Sequence, residues 1–165
     1  MTTTLHQRWE SPEGRERAEK AVACLMAGRP LSGLDLGTFT GRIDLRGLPV
    51  PIPRRLRRFE TAGWFAEELG ELVKFQNARL ENLDLSGAQL PSLRFHDSQI
   101  TGCLFEGANC QDWRLWGTEV TDCGFAAANL RQAAVGTWHN GRRNAWRRAD
   151  FSNADFRVIS ITAAL

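Results

Sequence analysis

The chain has 165 residues, of which 42% are hydrophobic and 24% charged, and its formal net charge is +2. This length suits one domain or a solenoid, and the charge is neither the basic footprint of a nucleic-acid-binding protein nor an acidic surface. No apolar run reaches the roughly 18 residues that a membrane span needs, and residues 1–14 lack the basic-then-apolar pattern of a secretory signal. We therefore expect a cytoplasmic protein with no membrane partner.

The sequence carries no motif of catalysis, cofactor binding or metal binding. It contains no Gly-rich phosphate loop, no GxSxG and no HExxH. The cysteines lack CxxC spacing and the histidines lack the spacing of a metal site; they are Cys24, Cys103, Cys110, Cys123, His6, His96 and His139. The sequence therefore predicts that the protein is not an enzyme and that it uses no cofactor or metal.

Residues 1–30 are predicted to form a capping segment around one helix. Ser11 is a typical N-cap residue and Pro12 suits the first helical position, while Gly28 followed by Pro30 marks the end. An apolar stripe at helical spacing lies between these signals: Ala18, Ala21, Val22, Leu25 and Met26. Such a helix is expected to cover the open end of a repeat stack, the alternative being a partner-binding helix.

Residues 31–52 are predicted to form an imperfect first coil of repeats. Paired apolar positions recur there with Asp or Pro between them, at Leu34/Leu36, Ile43/Leu45 and Leu48/Val50. The step from Leu36 to Leu45 is nine residues instead of ten, so one residue is missing from the rhythm.

Residues 53–72 are predicted to be an irregular insertion. Three prolines interrupt the rhythm, and a basic run follows that contains Arg54, Arg55, Arg57 and Arg58. The segment 59–72 shows no period of five, and part of it, around 65–72, suits either a short helix or a loop. The four arginines are expected to be solvated, the alternative being a contact with phosphate or with an acidic partner.

Residues 73–135 follow a period of five. Thirteen successive fifth positions are apolar: Phe75, Leu80, Leu85, Leu90, Phe95, Ile100, Phe105, Cys110, Leu115, Val120, Phe125, Leu130 and Val135. The residue two places before each is mostly small, as at Ala78, Ala88 and Ala108. A helix would need a period of 3.6 and a half-buried strand a period of 2, so a period of five indicates a repeat architecture.

The rhythm resumes after Val135 with its phase shifted by one residue. The shift predicts a one-residue bulge near 138–141 inside a regular stack over 73–165, with Ala149 above Ala128 and Trp146 above Phe125. Trp138 is then a candidate for the column of Ala78, Ser98 and Thr118. The predicted core continues through Trp146, Phe151, Phe156 and Ile161.

The blocks ARLEN, GANCQ, AANLR and RADFSNADFR resemble the A(D/N)LXX signature of pentapeptide repeat proteins. The resemblance covers residues 31–161, interrupted at about 51–72, and Cys103, Trp113 and Cys123 stand where the family usually has small residues. It implies an all-β solenoid, a right-handed quadrilateral β-helix with four pentapeptides per coil, which the N-terminal α-helix would cap. The physical logic agrees, since a coil that cannot bury its apolar interior alone must stack on its neighbours.

In such a stack Cys103 and Cys123 lie one above the other in adjacent coils. A separation of about 4.8 Å between their Cα atoms is compatible with a disulfide. A reducing cytoplasm favours two packed thiols instead.

The densest group of unusual residues lies around the predicted bulge. Aromatic and arginine side chains are enriched at binding hot spots and also suit stacking and backbone contacts with nucleic acid. The candidate partner-binding residues are therefore Trp138, His139, Arg142, Arg143, Arg147 and Arg148, together with the four arginines of 54–58. The alternative is a structural irregularity with solvated arginines.

These patterns favour a non-enzymatic binding or scaffold protein whose partner is a macromolecule, protein more than nucleic acid. The resemblance also implies a DNA mimic that modulates DNA gyrase, but that role needs an acidic rod, and nine acidic and nine basic residues follow residue 74. A third hypothesis is a small-molecule-binding or enzymatic accessory protein with a pocket between the bulge and residues 59–72.

The last residues, 159–165, offer neither a polar cap nor a helix. Because an open β-helix end presents unpaired backbone groups and apolar edges, the sequence predicts either a homodimer through this end or a chain shortened relative to its relatives.

Overall fold

The computed structural model describes residues 2–50, 73–136 and 142–162. Within these ranges the chain forms two helices and short strands. The helices are α1 (Thr2–Gln7) and α2 (Pro12–Met26). The strands are β1 (Thr38–Phe39), β2 (Arg42–Asp44), β3 (Lys74–Gln76), β4 (Arg79–Glu81), β5 (Leu83–Asp84), β6 (Arg94–His96), β7 (Gln99–Thr101), β8 (Arg114–Trp116), β9 (Glu119–Thr121), β10 (Ala134–Gly136), β11 (Ala145–Arg147) and β12 (Ser160–Thr162).

Helix α2 begins and ends where the capping residues place it. The Ser11 hydroxyl accepts a hydrogen bond from the Gly14 amide at 3.0 Å, and Pro12 occupies the first turn. Gly28 follows the C-cap residue Ala27 with φ at 62°, a left-handed conformation that glycine adopts without steric cost. The apolar stripe is buried except for Met26, which is 37% exposed. Neither helix of the described residues is long and apolar enough to cross a membrane.

Helix α1 was not predicted, and polar contacts hold the segment after it on the first coil. The Arg8 guanidinium lies 2.7 Å from the Asp44 carboxylate. The Trp9 indole donates to the Arg46 carbonyl at 2.9 Å, and Trp9 itself is buried. His6 hydrogen-bonds the Gly47 carbonyl at 2.8 Å.

The central coils repeat every 20 residues in parallel register. Phe75 aligns with Phe95 and then with Leu115, and Leu80 aligns with Ile100 and then with Val120. Two faces of each coil are strands, in the orders β12-β10-β8-β6-β3 and β11-β9-β7-β4. The other two faces are joined by parallel bridges, one through residues 84, 104, 124 and 150 and one through 49, 89, 109, 129 and 155. The fold is a right-handed quadrilateral β-helix.

The first coil is incomplete in its described part. Ile43 aligns with Leu83 and Pro49 bridges Gln89, a step of 40 residues instead of 20. The chain between this coil and the next is therefore twenty residues longer than a regular step. It includes residues 51–72, which fall outside the described ranges. The prediction of an irregular insertion at 53–72 lies there as well. Before the ladder, β1 pairs with β2 in antiparallel fashion.

The second departure from the rhythm is larger than the sequence suggested. The ladder aligns Val120 with Trp146, Val135 with Ile161, and position 124 with position 150, so the step is 26 residues. The prediction of a single inserted residue near 138–141 is therefore wrong, because six residues exceed the regular step. Steps of 21 and 26 leave the same phase in a period of five, and the phase alone cannot separate them.

This register also corrects the expected stacking partners. Trp146 lies above Val120 instead of above Phe125, and Phe151 lies above Phe125 with ring centroids 5.1 Å apart and planes at 16°. Ala154, not Ala149, follows Ala128.

The interior is filled by the predicted columns as far as residue 130. The central residues of the repeats are at most 3% exposed: Phe75, Leu80, Leu85, Leu90, Phe95, Ile100, Phe105, Cys110, Leu115, Val120, Phe125 and Leu130. Val135, Trp146, Phe151 and Phe156 are half-buried and pack against this core. Ile161, which was expected in the core, is 74% exposed, because it lies on the outermost strand of its sheet.

Cys103, Trp113 and Cys123, which replace the usual small residue of the repeat, fit inside the stack. Trp113 is fully buried, donates from its indole nitrogen to the Leu90 carbonyl at 2.6 Å, and meets the Phe105 ring edge-on. Cys103 and Cys123 are buried free thiols, in agreement with the expectation of packed thiols.

Candidate binding surface

The four arginines of residues 142–148 lie around strand β11. Arg142 and Arg143 precede the strand, Arg147 ends it, and Arg148 follows it; all four are exposed. Strand β11 is the outermost strand of its sheet in the order β11-β9-β7-β4. The structure thus brings these candidate residues together at a sheet edge.

Asn144 aligns the chain with the coil below it. Its Oδ1 accepts from the Thr118 amide at 2.9 Å, and its Nδ2 donates to the carbonyls of Leu115, at 3.1 Å, and Gly136. The register makes Asn144 the neighbour of Thr118 in the column that was suggested for Trp138. That suggestion is wrong for the column position, and Trp138 itself lies outside the described residues.

Trp146 belongs to the interior side of the same segment. Its ring lies 5.7 Å from that of Phe125 and 5.1 Å from that of Phe151. Because Asn144 and Trp146 make these contacts with the core, the alternation of a strand places Arg143 and Arg147 at the surface.

Two of the arginines are paired with carboxylates of the coils below. Arg148 makes a two-point contact with Asp122, with its Nη2 at 2.8 Å from Oδ2. Hydrogen bonding from Arg148 lowers the pKa of Asp122, and the same contact raises the pKa of Arg148. The Nε of Arg142 lies 3.8 Å from Oδ1 of Asp97.

The other two arginines form no ion pair with any residue of 2–50, 73–136 or 142–162. Arg143 and Arg147 are exposed; Arg143 lies two residues before β11 and Arg147 is its last residue. They are the members of the group that remain available to a partner's carboxylates.

The remaining candidates cannot be placed beside this surface. Trp138 and His139, as well as Arg54, Arg55, Arg57 and Arg58, lie outside the described residues. Their assignment to partner binding stays a prediction.

The sequence reasoning missed a segregation of charge along the stack. Residues 73–125 contain seven acidic and four basic residues, whereas residues 126–162 contain two acidic and six basic residues. Arg131 and Arg157 join the four arginines at the basic end, where Val158 is 77% exposed. A count over each coil would have found this pattern, which a count over the whole repeat region averages away.

Nothing in the described interior resembles a catalytic or metal site. No group of three or more His, Cys, Asp or Glu side chains in the described ranges is placed to hold a metal ion. Burial raises the pKa of the Cys110 thiol. The neighbouring Cys123 thiol, together with burial, raises the pKa of Cys103. These thiols are packed groups and not exposed nucleophiles.

One apolar cavity lies in the described part where α2 meets the coils. It is lined by side chains that include Val22, Leu25, Phe75 and Trp113, and its volume is about 20 Å³. That is close to the space of one water molecule, so it does not hold an organic ligand. The pocket suggested between the bulge and residues 59–72 involves positions that the structure does not describe.

Part of the chain is similar in sequence to pentapeptide repeats. Residues 72–107 match the family of pentapeptide repeats with 8 copies. The crystal structure of a pentapeptide repeat protein, Rfr23, from the cyanobacterium Cyanothece 51142 has 17% sequence identity and a TM-score of 0.32, over 73% of this chain and 86% of that chain. No curated protein matches the chain. Residues 72–107 therefore carry pentapeptide repeats, and the 20-residue register of the stacked coils agrees with four such repeats per coil.

Proposed function

We propose that this repeat protein is a non-enzymatic binding scaffold whose partner is another protein. The observation that carries the proposal is the group of four exposed arginines around β11, on a strand whose inward residues are held by the core. A rigid element that presents clustered arginines suits recognition of carboxylates. The regular coils supply the rigid support, and the cytoplasmic location expected from the sequence stays a prediction.

Charge weighs against one alternative, and the size of the apolar cavity weighs against the other. A DNA-mimic modulator of gyrase needs acidic charge along the rod, and six of the eight charged residues in 126–162 are basic. A small-molecule or enzymatic accessory role needs a cavity, and the apolar cavity under α2 has a volume of about 20 Å³. Both alternatives have less support than a protein partner.

Affinity capture followed by quantitative mass spectrometry tests this function. The bait is the wild-type chain beside a variant with Glu at positions 142, 143, 147 and 148. We expect at least one protein that the wild type enriches and the variant does not. The proposal is contradicted if the wild-type bait enriches no protein above a bait-free control. It is also contradicted if a metabolite from a screened panel raises the melting temperature of the protein, since that indicates a small-molecule ligand.

The homodimer through the C-terminal end also stays a prediction. The like charge of the basic end opposes an end-to-end contact between two copies. Sedimentation over a range of protein concentrations tests it, and a monomer throughout contradicts it.

A further inference from the structure

In the described residues, β12 covers only the β10 face of the coil that contains β11, and the faces after it keep unsatisfied backbone groups. In the coil below, the amides of Asp122 and Phe125 donate to the carbonyls of Arg147, at 3.0 Å, and Asp150, at 2.6 Å. The equivalent amides one coil further belong to Arg148 and Phe151, and neither has an acceptor among the described residues. This edge can therefore pair with an additional extended strand.

Two neighbouring faces of this coil leave apolar side chains partly uncovered. Phe125 is fully buried, whereas Phe151, its counterpart in the last coil, is half-buried. Trp146 is likewise half-buried above the fully buried Val120. A strand added to β11 with an apolar residue on its inner side would cover Trp146.

Charge selects among the strands that could be added. Arg143 and Arg147 flank the edge of β11 without an ion pair in the described ranges, and Arg142 and Arg148 add two further cations. A second copy of this chain would bring the same arginines against one another. A nucleic acid would pair with the arginines but would satisfy neither the backbone edge nor the apolar layer. An acidic polypeptide strand satisfies all three.

We propose that an acidic, extended segment of a partner protein adds to the edge of β11 that has no neighbour among the described strands. Its backbone continues the ladder beyond Ala145–Arg147, an inward apolar residue covers Trp146, and its outward carboxylates meet Arg143 and Arg147. Successive residues of a strand face opposite sides, so a sequence that alternates acidic and β-branched residues has the required form. Strand addition of this kind draws affinity from the backbone and specificity from alternate side chains. The inference rests on the proposed function and names the chemistry of its partner.

A purified-component binding experiment tests the inference. The probe is a synthetic peptide of about seven residues, close to the usual strand length, in which Glu and Val alternate. Binding to the full chain is measured by fluorescence anisotropy at low and moderate salt. We expect binding that Arg143→Glu with Arg147→Glu weakens by about tenfold or more. The matched control carries Arg15→Glu with Arg29→Glu, which makes the same charge change at exposed positions of the N-terminal segment and should leave binding unchanged.

Two further probes separate strand addition from simple charge attraction. A peptide with a central Pro in place of Val keeps its acidic charge and loses a backbone donor, so it should bind more weakly than the parent. A single-stranded DNA oligonucleotide should compete poorly. The proposal is overturned if the parent peptide fails to bind or if the Pro peptide binds as tightly as the parent. It is also overturned if the variant with Arg143→Glu and Arg147→Glu binds the peptide as tightly as the control variant does. Better competition by the oligonucleotide than by the peptide, or a protein dimer that the peptide does not dissociate, has the same consequence. Partner capture that depends on the four arginines would survive those results, so the two proposals can fail separately.

Discussion

At the scale of single residues, side-chain hydrogen bonds hold the stack in register where the repeats depart from their pattern. The Asn144 side chain accepts a hydrogen bond from the Thr118 amide and donates one to the Leu115 carbonyl, both in the coil below. Asp112 accepts from Arg94 at 3.1 Å and lies 2.7 Å from Arg114, so one carboxylate joins two coils. These side chains are half-buried or buried. If one of them is removed, water does not take its place as the hydrogen-bond partner of the groups that it contacts.

Replacement of Asn144 by Ala is expected to lower the free energy of unfolding by about 2–3 kcal/mol. The change leaves the Thr118 amide and the Leu115 carbonyl without the partners they have now, and each unsatisfied buried group costs ~1–3 kcal/mol. Urea unfolding followed by circular dichroism measures the effect. Gln76→Ala removes an amide from an exposed position of β3 and serves as the control; an equal loss in both variants would refute the role of Asn144.

Asp44 is expected to make the stability of the N-terminal segment depend on pH. Burial alone would raise the pKa of Asp44, but hydrogen bonds from Arg46 and Arg8 outweigh it and lower the pKa from 3.8 to about 2. A carboxyl whose pKa falls on folding stabilises the native state above its unfolded pKa, and this contribution disappears as the pH falls through the folded value. Asp44→Asn should therefore be less stable than the wild type at neutral pH, and the difference should close between about pH 4 and pH 2.

The urea midpoint of both proteins, measured at each pH, gives this difference directly. A comparison is Asp155, whose pKa is also lowered to about 2, by its hydrogen bonds with Arg157. The side chain of Arg157 is 71% exposed, so high salt should remove the effect of Asp155→Asn while that of Asp44→Asn persists. A difference between wild type and Asp44→Asn that stays constant from pH 7 to pH 2 would contradict the assignment.

At the scale of elements, a period of five gives the position of a residue within its repeat but not the number of residues inserted between two repeats. The columns from Phe75 to Leu130 were predictable because each repeat places its apolar residue at the same remainder of five. The same arithmetic made an insertion of six residues look like an insertion of one, so Trp146 was placed above the wrong residue. Helix α1 has only six residues, and it is positioned by tertiary contacts such as that of His6 with the Gly47 carbonyl, which a local pattern does not record.

Gly14 is predicted to be required for the approach of α2 to the segment before it. A Cβ at this position would lie 2.3 Å from the Arg8 carbonyl oxygen and 2.9 Å from the Trp9 Cα, both of them backbone atoms that cannot move aside alone. Helix propensity alone predicts that Gly14→Ala stabilises α2 by ~1 kcal/mol. The overlap outweighs this gain, and we expect a net loss of about 1–3 kcal/mol.

Gly33 offers a matched control. A Cβ there meets no atom within 4 Å, so Gly33→Ala should leave the melting temperature nearly unchanged. Thermal unfolding of both variants measures the contrast, and the intrinsic fluorescence of Trp9, read against a Trp9→Phe variant, reports whether the segment has detached. A Gly14→Ala variant more stable than the wild type would show that the close approach is not needed.

At the scale of the whole molecule, successive coils pair in parallel throughout the described stack, but charge and burial are uneven along it. The net charge of +2 conceals an acidic middle and a basic last coil. Burial falls along the same axis, from the fully buried Phe105 and Phe125 to the half-buried Phe151 and the exposed Val158. Because each coil of a solenoid contacts only its neighbours, stability and available binding surface vary together along the axis.

Phe125 and Phe151 allow this gradient to be measured with one chemical change. Both occupy the same column in adjacent coils, with their rings stacked at 5.1 Å. Phe125→Ala opens an enclosed cavity and should cost ~3–5 kcal/mol, whereas Phe151→Ala removes a ring that is already half-uncovered and should cost about half as much. Hydrogen exchange should also show faster opening of residues 142–162 than of residues 93–116. Equal costs would mean that the last coil is as well covered as the middle ones, and that stability does not follow burial along the stack.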